Sequence, residues 1–157
     1  MYKQLRQSHR RYRKGSRAKR VIIPNRVGIE HRPAIVNKKK RFGDWEADTV
    51  LGKQGTGAIV SLVERKSKLY LIRKVPAKSA ADVARAMVGM LWKYRSHVRT
   101  ITADNGSEFC DHELVAEKLK TDIYFANPYS SWERGLNENF NGLLRQYMRK
   151  DTDLRTV

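Results

Sequence analysis

The stretch from Thr100 to Tyr147 constrains the fold more than any other part of the chain. Leading into it, Val98 to Ala103 is a short, mostly apolar and β-branched run that closes on Asp104-Asn105-Gly106. Such a run predicts a buried strand that delivers Asp104 to its C-terminal edge, the edge where open α/β sheets place ligands. At the far end, Leu136, Phe140, Leu143 and Tyr147 recur at i, i+4, i+7 and i+11, the period of a helix with one apolar stripe. Arg134, Glu138, Asn141 and Arg145 repeat that spacing two residues earlier. Two residues are about 200° of helix, so the polar row lies roughly opposite the apolar one. Glu138 is therefore not a misplaced core residue.

The segments between these landmarks complete an α/β pattern. Trp45 to Leu51, Ala58 to Glu64 and Leu69 to Val75 read as three strands, the last two joined by a tight Lys66-Ser67-Lys68 turn, which suggests an antiparallel meander. Ser79 heads Ala80-Ala81-Asp82, a start resembling a capping box, and Val83, Met87, Leu91 and Tyr94 form one buried stripe. A second helix is expected from about Asp111 to Lys120, with Leu114, Val115 and Leu119 on one side, then a fifth strand at Ile123 to Ala126. Asn127-Pro128-Tyr129 breaks that strand, and Ser130 with Glu133 gives a second capping signature before the last helix. Strands joined by helical crossovers lie parallel. The order fits a ribonuclease-H-like mixed sheet of five strands flanked by helices.

Charge is distributed unevenly along the 157 residues. Residues 1–41 hold 15 Lys or Arg against one acid, Glu30, while residues 42–157 hold 18 against 15. The formal charge of +17 thus resides mainly in a basic arm, and a core is expected from residue 42 to residue 157. An excess of this size implies a polyanionic partner. Arg10, Arg11, Arg13, Lys14, Arg17, Lys19 and Arg20 are the candidate phosphate contacts, binding DNA by counterion release. Pro24, Pro33 and the charged run Lys38 to Arg41 read as a linker over the surface. One cysteine, Cys110, excludes an internal disulfide, the four histidines lack zinc-ligand spacing, and there is no apolar run of about 18 residues that a membrane span needs. A reducing, intracellular setting fits these features.

Three carboxylates stand out by joint placement: Asp48 within the first strand, Asp104 at the end of the fourth, and Glu138 on the last helix. Glu133 is the rival to Glu138, but its capping position accounts for it. Glu46 shares a strand face with Asp48 by alternation and is a candidate helper, with Glu108 the weaker understudy for the third ligand.

The blocks around these residues resemble the DDE transposases of the insertion-sequence-thirty family. Gly43-Asp44-Trp45-Glu46-Ala47-Asp48-Thr49-Val50 is similar to the family's first-aspartate motif, and Thr100 to Phe109 to its second. Pro128 to Asn139, continued by Asn141 to Tyr147, is similar to the block that carries the catalytic glutamate. Ile23 to Val27 and Arg32 to Val36 resemble the family's linker. The resemblance implies Asp48, Asp104 and Glu138 as the catalytic, metal-binding triad. It further implies cleavage at a transposon end, strand transfer into target DNA, assembly as a homo-oligomer on DNA, and a bacterial cytoplasmic, nucleoid-associated setting without membrane or small-molecule substrate. Asn137, Asn141 and Arg145 are then expected to contact phosphate or to orient Glu138, with plain solvation of the helix as the alternative.

Carboxylates suit this chemistry because Mg²⁺ is a hard cation that prefers oxygen, with Mn²⁺ as a substitute. Two such ions about 3.5–4 Å apart activate an oxygen nucleophile and neutralise the transition state. Asp48 is expected to bridge both ions, with Asp104 and Glu138 completing one each. Without metal the three charges repel, so their proton affinities rise and the glutamate helix loosens. Family members also carry an N-terminal helix-turn-helix region and run on past the glutamate helix, so the resemblance implies a chain shortened at both ends. A catalytically dead remnant that binds DNA without specificity is the alternative reading.

Overall fold

A computed structural model describes residues 22–128 and 130–157. Five strands form one sheet in the order β3-β2-β1-β4-β5. β1 (Asp44–Leu51) pairs antiparallel with β2 (Ala58–Glu64), which pairs antiparallel with β3 (Tyr70–Val75). On its other side β1 runs parallel to β4 (Thr100–Ala103), and β4 runs parallel to β5 (Asp122–Phe125). The meander and the crossovers both follow the strand and helix order expected from sequence. β1 is therefore the central strand, and the carboxyl end of β4 lies beside the middle of β1.

Two turns show why the sequence can close this sheet. Gly43 has φ +109°, and a Cβ there would meet the His97 carbonyl oxygen at 1.8 Å, so only glycine fits where the chain enters β1. Glu64, fully buried at the end of β2, accepts hydrogen bonds from the backbone N–H of Gly43, Lys66 and Ser67. One carboxylate thus holds the β2–β3 turn against the start of β1.

One face of the sheet is apolar. α1 (Ala80–Leu91) and α2 (His112–Leu119) cover it, burying Val83, Met87, Leu91, Val115 and Leu119 against Trp45, Ala47, Leu62 and Ile101. Ser79 caps α1 by accepting from the Asp82 N–H at 3.2 Å, as its capping pattern requires. Tyr94 lies in a 3-10 turn beyond α1, with its ring 5.9 Å from that of Trp45. Leu114 departs from expectation: it is exposed, and His112 takes the inward position.

The other face carries α3 (Gly135–Tyr147), and here the helix sits differently from its sequence pattern. Leu143 and Tyr147 are exposed, whereas Asn137 is fully buried and Leu144 packs on Val50, Ile59 and Leu154. Asn137 and Asn141 turn inward because the sheet face beneath them presents Glu46, Asp48 and Ser61, which hydrogen-bond to them. Residues 22–41 run largely over the surface but are anchored to the core. Ile23 and Val36 are buried, and the N–H of Phe125 on β5 bonds to the Val27 carbonyl. Close contact with the core thus begins upstream of residue 42.

Candidate active site

β1 and β4 bring the two aspartates together. Alternation along β1 turns Trp45 and Ala47 to the apolar face and Glu46 and Asp48 towards α3. Asp48 accepts from the Thr49 N–H at 2.8 Å through Oδ1 and from Asn141 Nδ2 at 3.0 Å through Oδ2. Asp104 follows β4 directly, and its Oδ1 accepts from the Gly106 N–H at 3.0 Å. A Cβ at Gly106 would come within 2.2 Å of the Glu108 carboxylate, so a side chain there would displace Glu108.

A single cation joins the pair. The Arg134 guanidinium places Nη1 3.4 Å from Asp48 Oδ2 and Nη2 3.6 Å from Asp104 Oδ2. Nη1 also donates to the Ala47 carbonyl, while Nε is buried without a partner among the described residues. Burial raises the Asp104 carboxyl above its ordinary pKa; Arg134 opposes that shift, and the charges of Asp48 and Glu108 add to it.

Glu138 stands apart from this pair. It is exposed on α3 and lines an open cleft of about 1020 Å³ together with Asp48, Asn141 and Arg145. A neighbouring hollow of about 560 Å³ is lined by Asp104, Asn105, Asn127 and Pro128. Arg134 lines both and stands between them. Among the described residues no three Asp, Glu, His or Cys side chains lie close enough to hold one metal ion. The expected gathering of three carboxylates is thus reduced here to two aspartates on a guanidinium, with the glutamate across the cleft.

Asn137, assigned to DNA from sequence, is instead fully buried: its N–H bonds to Glu46 at 2.9 Å and its Oδ1 accepts from Ser61 at 3.3 Å. Asn141 orients Asp48 rather than Glu138, and is itself held by the Tyr70 hydroxyl at 2.9 Å. Arg145 lines the cleft while donating to the Leu51 carbonyl at 2.6 Å. Arg10, Arg11, Arg13, Lys14, Arg17, Lys19 and Arg20 lie outside the described residues. Ser130 and Glu133 form no capping box; Glu133 accepts from the Asn127 N–H at 2.7 Å and so braces the loop after β5. Glu108 is buried and engaged by Thr49 Oγ1 at 2.9 Å and Lys78 Nζ at 2.8 Å. Trp132 is 74% exposed.

Two contributors went unrecognised in the sequence. Arg134 belongs to the polar row of the last helix, one turn before Glu138, and that shared face was the available signal. Arg26 Nε donates to Asn105 Oδ1 at 2.6 Å, fastening the loop after Asp104 from a segment so distant that no local pattern announces it.

The sequence profile described as Integrase core domain matches residues 38–131. The chain belongs to the integrase core family. Among its relatives, it is 50% identical over 159 residues to the transposase for insertion sequence element IS4351 of Bacteroides fragilis, covering 100% of this chain and 49% of that protein. It is 35% identical over 151 residues to the transposase InsI for insertion sequence element IS30A of Escherichia coli, covering 96% and 39%. This integrase core is thus similar to transposases of insertion sequences, and it spans about half the length, or less, of these curated relatives. In fold it is similar to the catalytic core domain of BIV integrase, with a TM-score of 0.55 at 24% identity over 66% of this chain and 67% of that one. A chain of a simian T-cell lymphotropic virus intasome aligns with a TM-score of 0.59 at 16% identity, covering 68% and 39%. The ribonuclease-H-like fold expected from the order of elements is thus present. No helix among the described residues is long and apolar enough to cross a membrane.

Proposed function

We propose that this integrase core performs metal-dependent cleavage of DNA at the end of an insertion sequence and joins the freed 3′ end to target DNA. One observation carries the reading: Asp48, from the middle of β1, and Asp104, from the end of the adjacent parallel β4, converge on a single cation beside a cleft whose wall bears Glu138. The guanidinium of Arg134 stands in for a metal at that point. Carboxylate oxygens are hard donors, so the pair fits Mg²⁺, with Mn²⁺ as its substitute. Asp48 and Asp104 would hold the ions, with Glu138 completing the set from α3. When bound, such ions activate an oxygen nucleophile and neutralise charge on the phosphate.

The chain's own residues prepare this chemistry. Asn141 and the Thr49 N–H fix the Asp48 carboxylate, and the Gly106 N–H fixes that of Asp104. Arg145, Arg149 and Lys150 line the same cleft and would contact phosphates of the bound strand. The basic arm, with its candidate contacts from Arg10 to Arg20, would add affinity without sequence preference. Assembly on DNA as a homo-oligomer belongs to the same proposal.

The test is strand transfer from a pre-nicked transposon end into a plasmid, with Mg²⁺ or Mn²⁺. Joining by the parent chain, lost in Asp48→Asn, Asp104→Asn and Glu138→Gln, is the expected result. Absence of joining by the parent chain, with retained DNA binding, would favour the inactive remnant.

A further inference from the structure

Glu46 lies two residues before Asp48 on the same face of β1 and is only 1% exposed. Its Oε1 receives Arg65 Nη1, and its Oε2 accepts the backbone N–H of Asn137 at 2.9 Å. Asn137 is the third residue of α3 and directly precedes Glu138. The first turn of a helix leaves backbone N–H groups without intrahelical partners, which an N-cap side chain ordinarily accepts. α3 has no such cap of its own: neither Arg134 nor, in the preceding 3-10 turn, Ser130 supplies a side-chain bond. A carboxylate from the central strand fills that place, with its charge at the favourable end of the helix dipole. Ser61, on β2 directly opposite Asp48, adds a bond to the Asn137 side chain.

A buried ion pair is seldom needed for stability alone, since an apolar pair of similar volume serves as well. Here the pair does something an apolar pair does not: it leaves one carboxylate oxygen on the amide beside Glu138. Arg65 Nε in turn donates to the Val36 carbonyl at 3.2 Å, tying the upstream segment to the same group.

We propose that Glu46 is a positioning residue that caps α3 from the sheet and so sets where Glu138 stands relative to Asp48. The cap itself is independent of the metal reading; its consequence for metal binding rests on the function proposed above.

Two double variants of the full 157-residue chain separate charge from cap. Glu46→Met with Arg65→Met removes both, whereas Glu46→Gln with Arg65→Met removes the charges but keeps an acceptor oxygen for the Asn137 N–H. Hydrogen exchange at residues 135–139 is expected to be about tenfold faster in the first variant, with β2 and β4 unchanged. Mn²⁺ affinity, read by calorimetry, falls in parallel, and the Gln variant restores both. Unchanged exchange in the Met pair, failure of Gln to restore it, or acceleration spread equally over the sheet would each overturn the proposal. If the Met pair does not fold, Ser61→Ala tests the second tie: faster exchange confined to residues 135–139 supports the anchorage, and faster exchange throughout the sheet overturns it. A parent chain that binds no Mn²⁺ defeats the metal reading, while the exchange measurement still decides the cap.

Discussion

The two faces of the sheet are held by different forces. Under α1 and α2 the contacts are apolar and closed to water, with Trp45, Leu62, Met87 and Leu91 buried together. Under α3 they are mostly polar: Glu46, Asp48, Ser61 and Tyr70 from the strands meet Asn137 and Asn141 from the helix. Apolar support there is smaller: the Phe140 ring lies 5.1 Å from that of Tyr70, and Val50, Ile59 and Leu154 with Leu144 and Met148 hold the far end. Area burial is insensitive to small changes of angle, whereas hydrogen bonds fix distance and direction. The first face therefore supplies stability and the second supplies geometry to the candidate site.

The strongest way to break this comparison is on the apolar face. Trp45 is fully buried, with its ring 6.2 Å from Phe42 and 5.9 Å from Tyr94. Trp45→Ala should cost about 3–5 kcal/mol in urea denaturation, enough to remove much of the stability of a domain this size. On the polar face Asn141→Ala removes the bonds to Asp48 and Tyr70, yet should cost only about 1 kcal/mol. Strand transfer should suffer far more than stability in that variant. Equal losses of stability for the two substitutions would erase the distinction between the faces.

A pH measurement sharpens it further. Burial pushes the Tyr70 hydroxyl up to about 12 from its ordinary value of 10, and this hydroxyl donates to Asn141. The folded state thus holds the proton more tightly than the unfolded chain. Its contribution is complete below pH 10 and is lost as pH rises from about 10 towards 12. Tyr70→Phe should show a shallower decline of stability across that window. Parallel declines in the two proteins would place Tyr70 outside the polar contact with α3.

This asymmetry also explains which parts of the molecule were legible in the sequence. The apolar face follows rules of period and burial, so the strands around Asp48 and Asp104 and the stripe Val83, Met87, Leu91 could be read directly. α3 obeys the same period, but its buried side is the one bearing Asn137 and Asn141, while Leu143 and Tyr147 face outward. A helix pattern states which residues share a face; it does not state which face the sheet will accept. That choice was made by Glu46, Asp48 and Ser61, three polar groups on strands that need partners once buried. The role of Arg134 was hidden for a similar reason, because only the approach of β1 to β4 creates the pair of carboxylates that it bridges.

Glu138→Gln is the substitution with the smallest expected effect on the fold. The side chain is exposed, and no hydrogen bond or ion pair to it occurs among the described residues of the cleft. Surface changes of this kind shift stability by less than about 0.5 kcal/mol. Gln also preserves the shape of the side chain and removes only its charge, so DNA binding through Arg145, Arg149 and Lys150 should persist. Strand transfer is nevertheless expected to fall to background, because the third hard ligand of the proposed metal site is gone. A loss of more than about 1 kcal/mol in denaturation, against the surface expectation, would show that Glu138 belongs to the anchorage of α3 and not to the open wall of the cleft.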